Sequence, residues 1–227
     1  MTSRVLQMFL YKNIPNIVSI LGVVPLAILF LEDGFQYLLP LLLYNNVMDD
    51  LDGILAEKLN LKSKFGAVLD NVCDALAHML VVMAVGMHYG GICAALSLVA
   101  AISILVRVVS RLIPNSEAVG GSPTNELMRH ILFASVVTQY FEIAPEPFLA
   151  AVFVLNAVSM QVPYPLRYSI RNLTTSATAV AGVNVSLGVA WFFPITASAV
   201  AACLMATYLY SLAAGAFSWP WRRQTAA

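Results

Sequence analysis

The chain has 227 residues, 60% of them hydrophobic and 11% charged, a composition outside the range of a soluble domain and suited to a bilayer. Twelve basic residues balance twelve acidic ones, so no basic surface argues for nucleic acid. Cys73, Cys93 and Cys203 are odd in number and scattered through apolar stretches, which suggests neither a disulfide framework nor a zinc site.

In chain order, residues 1–13 read as a short amphipathic helix at the membrane surface, with Val5, Met8 and Phe9 apolar and Arg4 and Lys12 polar. Residues 14–31 form the first apolar run, long enough to cross about 30 Å of hydrocarbon at 1.5 Å per residue. A cleaved signal peptide is the competing reading, but no small-x-small site precedes the next apolar run. A second span over 35–56 begins apolar and turns polar from Asn45 onward. The loop from Glu57 to Lys64 is short and basic, and a third span over 65–88 carries Asp70 and Asp74 in its first turns. His78 continues that row one turn deeper, as a partner for Asp74 or as a buried neutral histidine.

Gly90 and Gly91 mark a tight turn into a fourth span over 92–113, with Arg107 and Arg111 one turn apart near its end. A Gly, Pro and Ser-rich loop leads to a fifth span over 126–141. Pro145 and Pro147 bracket the return to a sixth, which ends near residue 162. The basic, aromatic segment 163–172 precedes two last spans over 176–193 and 197–216, closed by Trp219, Trp221, Arg222 and Arg223. The fold class expected is therefore an all-α integral membrane protein: one polytopic helix bundle over 1–227, about eight transmembrane helices, with 35–89 as the pair that carries the site. With both termini cytoplasmic, every basic residue falls on the inner side, while Glu32, Asp33, Glu142 and Glu146 fall outside. The compact, tail-free layout suggests a bacterial inner membrane. Asn172 and Asn184 match a glycosylation pattern, but one is assigned inside and the other within a span.

The chemistry is concentrated between Asp49 and Asp74. On a helix, Asp49, Asp52, Gly53 and Ala56 recur at i, i+3, i+4 and i+7 and share one face; Gly66, Asp70 and Asp74 form a second row. Two such faces make an acidic pocket in which small residues let a bulky ligand approach the backbone. Four carboxylates repel one another, and all-oxygen ligands favour Mg²⁺, Mn²⁺ or Ca²⁺ over zinc as the counter-charge. Asn46, three residues before Asp49, either bonds a ligand or caps a carboxylate, and Asp50 is expected to face solvent.

The pattern Asp-x2-Asp-Gly-x2-Ala, then Gly-x3-Asp-x3-Asp with eight residues between Glu57 and that glycine, resembles the signature of the CDP-alcohol phosphatidyltransferases. One position departs: the family normally has Arg after the alanine, and here it is Glu57. The resemblance implies a membrane enzyme that takes a lipid CDP-alcohol, usually CDP-diacylglycerol, and transfers its phosphatidyl group to a second alcohol with release of CMP. Asp49, Asp52, Asp70 and Asp74 would hold Mg²⁺ or Mn²⁺ in a two-metal site, and Asp74 would also act as general base. Gly53, Ala56 and Gly66, with Asn46 and Lys64, would accommodate the nucleotide and diphosphate. Glu57 places an anion beside a phosphate-binding site; compensation by Lys58, Lys62 or Lys64 is the favoured reading over altered binding or lost activity.

The layout is most similar to the phosphatidylserine synthase and phosphatidylcholine synthase branches. Serine carries a carboxylate for Arg107, Arg111 or Arg129, although inward arginines also serve as plain membrane anchors. Choline would want an aromatic cage, for which Tyr164 and Tyr168 are available. Serine is the expected acceptor. Gly182, Gly188, Ala213 and Ala214 suit a homodimer or tight packing within one subunit. A non-catalytic CDP-lipid sensor and a transporter are the readings from other classes, and clustering of the acids at one end of two helices argues against transport.

Overall fold

The computed structural model describes residues 2–113, 124–164, 166 and 176–225, and the regular structure among them is helical throughout. Asn13 and Pro15 break the first segment: the Asn13 amide donates 2.9 Å to the Phe9 carbonyl, and Pro15 sits in the first turn of the next helix, where its missing N–H costs nothing. Helix α1 (Thr2–Lys12) is thus set at 63° to the segment Ile14–Phe30. Its Val5, Met8 and Phe9 are exposed, as an interfacial helix requires. Helix α2 (Ile14–Val23) continues as a 3₁₀ stretch, Val24–Phe30, and a second 3₁₀ turn, Gly34–Tyr37, follows. Gly34 approaches the Ile28 carbonyl so closely that an added Cβ would overlap it.

The pair that carries the acids comes next, α3 (Leu38–Lys58) and α4 (Lys64–Tyr89). Asn60, at φ +53°, ends α3. The Leu61 N–H reaches the Ala56 carbonyl at 2.9 Å and the Asn60 N–H reaches Glu57 at 3.1 Å, which satisfies the carbonyls of the last turn. Ser63 then caps α4, its Oγ accepting from the Gly66 N–H at 2.9 Å. The expected turn at Gly90 and Gly91, both with positive φ, leads into α5 (Gly91–Leu112). The remaining helices are α6 (Thr124–Tyr140), α7 (Glu146–Gln161), α8 (Ala177–Phe192) and α9 (Pro194–Thr225).

Helix α4 packs on α5, α5 on α7, α2 on both α3 and α4, and α9 on α6 and α8. The helices are turned as lipid demands. On α5, Ala100, Ala101, Ser103 and Ile104 are buried, while Leu98, Val99, Ile102, Leu105 and Val106 are exposed. Small residues let backbones close on one another, and the large aliphatic ones meet acyl chains without penalty. Among the described residues, three helices are long and apolar enough to cross a bilayer: Lys64–Tyr89, Gly91–Leu112 and Pro194–Trp219; the bent pair through Ile14–Phe30 makes a fourth. The chain is an all-α membrane protein. The other expected spans are helical but differ in kind. Helix α3 carries charge in its second half. Helices α7 and α8 have 16 residues each and α6 has 17, about 25 Å at 1.5 Å per residue. The basic, aromatic segment 163–172 lies outside the described residues except at positions 163, 164 and 166, as do the side chains of Trp221, Arg222 and Arg223.

Candidate active site

The two faces read from the sequence do meet. Carboxylate oxygens of Asp49, Asp70 and Asp74, all half-buried, lie within 4.8 Å of one another. Three carboxylates that close in a partly dehydrated site repel strongly without a counter-charge. The divalent cation that the resemblance implies therefore fits this set: hard anionic oxygens converging on one point from two helices. Asp52 stands outside that mutual set. It is 5% exposed and its carboxylate accepts a hydrogen bond from the Ser19 hydroxyl of α2.

A cavity of about 280 Å³ opens beside Asp52 and Asp70, lined also by Gly53, Ala56, Gly66 and Lys62. The three small residues expected to leave room for a ligand therefore do border open space. At Gly66 the space is limited: an added Cβ would lie 3.0 Å from Ser63 Oγ and 3.1 Å from Asn16 Oδ1. A second cavity, of about 660 Å³, lies on the other side of α3, against α6 and α8. Asp49, Asp50, Gly53, Lys58, Lys62 and Arg129 are on its wall. Gly53 and Lys62 border both cavities, with Asp52 and Asp70 on the wall of the smaller and Asp49 on the wall of the larger, while Asp74 is on the wall of neither.

Glu57 is exposed and pairs with Lys62 at 3.3 Å, one of the three lysines expected to offset it. Lys64 begins α4 and is not on the wall of either cavity. Of the three arginines, Arg129 is on the wall of the larger cavity, buried and paired with Glu126 at 3.2 Å. Arg107, buried, and Arg111, exposed, border neither. Tyr164 packs against Gly215 of α9, and Tyr168 lies outside the described residues.

Asp50 departs from the expectation of a solvent-facing side chain. It is half-buried and accepts from Asn184 of α8 at 2.6 Å and from Asn46 at 3.4 Å. Asn46 in turn donates to Asn184 Oδ1 at 2.6 Å, and the carboxylate it contacts is Asp50. Asp49 itself is held from α6, where Asn125 Nδ2 donates to its Oδ2 at 2.8 Å. Sequence reading missed Ser19, Asn125 and Asn184. A signal existed for two of them. Asn184 is the lone amide of a helix whose other polar side chains are only Thr178 and Ser186, apart from Trp191, and Asn125 belongs to the cluster Thr124, Asn125, Glu126, Arg129 and His130, polar residues buried in a membrane protein. Such residues are functional candidates by default because burying them in hydrocarbon is costly.

The profile of the family described as CDP-alcohol phosphatidyltransferase matches residues 12–221. An uncharacterized protein of Aquifex aeolicus (strain VF5) is 37% identical over 83 residues, covering 35% of this chain and 42% of that protein. A CDP-diacylglycerol–glycerol-3-phosphate 3-phosphatidyltransferase of the same organism is 38% identical over 65 residues, 27% of this chain and 36% of the relative. The chain thus spans less than half the length of either curated relative it matches. No solved structure matches it. Given a profile that runs through nearly the whole chain and an acidic, small-residue motif gathered at one point, the chain belongs to the CDP-alcohol phosphatidyltransferase family.

Proposed function

We propose that the protein transfers the phosphatidyl group of CDP-diacylglycerol to a small alcohol and releases CMP. The observation that carries this reading is the pair of cavities that share Gly53 and Lys62, with Asp70 on the wall of one and Asp49 on the wall of the other. Displacement at phosphorus runs in line, with the attacking and leaving oxygens on opposite sides. Two spaces that share Gly53 and Lys62 and are each bordered by a carboxylate of the motif suit that requirement. The smaller cavity takes cytidine and diphosphate against Gly53, Ala56 and Gly66, and the larger takes the acceptor. The acceptor oxygen bonds to the lipid-linked phosphorus, the bond from that phosphorus to CMP breaks, and Asp74 receives the hydroxyl proton.

Asp49, Asp52, Asp70 and Asp74 would hold Mg²⁺ or Mn²⁺, which when bound neutralises diphosphate charge and acidifies the alcohol. Asp52 enters this set by releasing Ser19 or by keeping that bond on one oxygen. Lys62 lies on the wall of both cavities and supplies the cation that the family places one residue after the alanine. The acceptor of choice is serine, whose carboxylate would bind Arg129, the one of the three expected arginines on the cavity wall. A second reading, glycerol 3-phosphate, is favoured by the activity for which the Aquifex relative is named and by the three cations, Lys58, Lys62 and Arg129, around that space. The acidic site faces the cytosol of a bacterial inner membrane in this reading, as the inward placement of the basic residues requires. The chain acts as one domain, and the exposed Gly182, where an added Cβ meets nothing within 4 Å, offers a face for a homodimer.

The test is CMP release by purified protein in detergent with CDP-diacylglycerol and Mg²⁺ or Mn²⁺, against serine, glycerol 3-phosphate, choline and inositol phosphate. Release that depends on one alcohol and vanishes in Asp74→Asn is the expected result and names the acceptor. Metal-dependent binding of CDP-lipid without CMP release from any alcohol would replace the enzyme reading with a lipid sensor.

A further inference from the structure

The acidic centre has a support that comes from neither of the helices bearing the motif. Asn125, in the first turn of α6, is 4% exposed, borders the larger cavity and donates 2.8 Å to Asp49 Oδ2. Its own Oδ1 is buried without a hydrogen-bond partner, an arrangement that costs stability and asks for a reason. The turn that presents it is fixed. Glu126 and Arg129 form a buried pair, and Leu127 and Met128 are buried beside them, so α6 cannot roll without exposing charge to hydrocarbon.

A carboxylate turns readily about its last bond, where the torsional wells are broad. Repulsion from Asp70 and Asp74 drives Asp49 to turn away from them. A donor on Oδ2 opposes that rotation. The donor is also neutral: a lysine or arginine at the same place would act as the counter-charge itself and compete with a metal, whereas an amide orients the carboxylate and leaves the negative charge of the cluster intact. We infer that Asn125 is a positioning residue of the acidic centre, holding the Asp49 carboxylate in the set with Asp70 and Asp74 so that cation affinity depends on α6. This rests on the metal site proposed above. Hydrogen-bonded supports of ligating groups typically change metal affinity or activity by about 10 to 100-fold when removed.

The experiment measures Mn²⁺ binding to the purified full chain, without nucleotide or alcohol, by loss of the free-ion EPR signal. Wild type, Asn125→Leu and Asp49→Ala are compared, with thermal midpoints recorded in chelator. Asn125→Leu keeps the volume of the side chain and deletes the donor. The expected result is Mn²⁺ affinity of the folded protein weakened about 10 to 100-fold, a metal-free midpoint lowered by no more than the loss of one hydrogen bond, and binding abolished in Asp49→Ala. An unchanged affinity in Asn125→Leu overturns the inference, as does a lowered metal-free midpoint with wild-type affinity, which would mark Asn125 as purely structural. Should Asn125→Leu fail to fold, Asn125→Ala is measured in the same way, and failure of both to fold also assigns the residue a structural role and ends the proposal. Wild-type protein that binds no Mn²⁺ would remove the metal site itself, an outcome distinct from tight wild-type binding that is indifferent to Asn125.

Discussion

Asn184 joins the one largely apolar helix beside the larger cavity to the motif helix, and its replacement tests whether that joint matters. Its Nδ2 donates 2.6 Å to Asp50 Oδ2 and its Oδ1 accepts 2.6 Å from Asn46 Nδ2. Asn184→Leu deletes both and leaves Asp50 with the 3.4 Å contact from Asn46. A hydrogen bond to a charged group contributes about 1.5 to 3 kcal/mol and a neutral one about 0.5 to 1.5 kcal/mol. Asp50 is only half-buried, so water recovers part of the loss. The net cost is about 2 kcal/mol, roughly a 30-fold change in the ratio of folded to unfolded protein. An exchange of partners separates this bond from general damage. Asn184→Asp sets two carboxylates against each other; adding Asp50→Asn restores one amide facing one carboxylate and leaves Asn46 a partner. Unfolding by SDS titration in mixed micelles should give a coupling of about 1 to 2 kcal/mol between the two changes. Single effects that add to within about 0.5 kcal/mol would refute the joint. Because α8 and its cap residue supply Ser176, Ala177, Val180 and Val183 to the cavity wall, Asn184→Leu should also raise the acceptor KM more than it lowers kcat.

Gly53 gives a test in which stability and activity move in opposite directions. An added Cβ there meets nothing within 4 Å, and alanine in a helix is favoured over glycine by about 0.5 to 1 kcal/mol, so Gly53→Ala should raise the thermal midpoint while CMP release falls. A variant with full activity would show that the open space beside Gly53 is not used by substrate. Gly86 is the converse. An added Cβ falls 2.5 Å from Ser97 Cβ and 3.3 Å from Ala94 Cα, where α4 and α5 cross, so Gly86→Ala should destabilise by about 1 to 3 kcal/mol. CMP release per folded molecule should be unchanged, since Gly86 is at the far end of α4 from Asp70, and an unshifted midpoint would contradict the tight crossing.

Much of this protein is local in origin and was legible as such. Apolar runs with glycine and proline between them set the helices, and the turn at Gly90 and Gly91 and the start of α4 beside Ser63 fall where the residues require them. Helical spacing put Asp49 on one face and Asp70 and Asp74 on another, and it brought Gly53, Ala56 and Gly66 to a common space. Spacing within one helix says nothing about which other helix lies opposite. Asp50 was assigned to solvent because it points away from the face that Asp49 and Asp52 share, yet α8 supplies it a partner from 134 residues away. The hold on Asp49 comes from 76 residues away, and the hold on Asp52 comes from α2. Among the arginines, hydropathy gave all three the same side, and only the packing of α6 against α3 brought Arg129 to the cavity and left Arg107 and Arg111 off its wall. Hydrophobicity and helical periodicity act along the chain, so the sequence alone determined a helical membrane protein with a carboxylate row. Side-chain hydrogen bonds act across helices, so which distant side chain meets Asp49, Asp50 or Asp52 was decided by the tertiary structure.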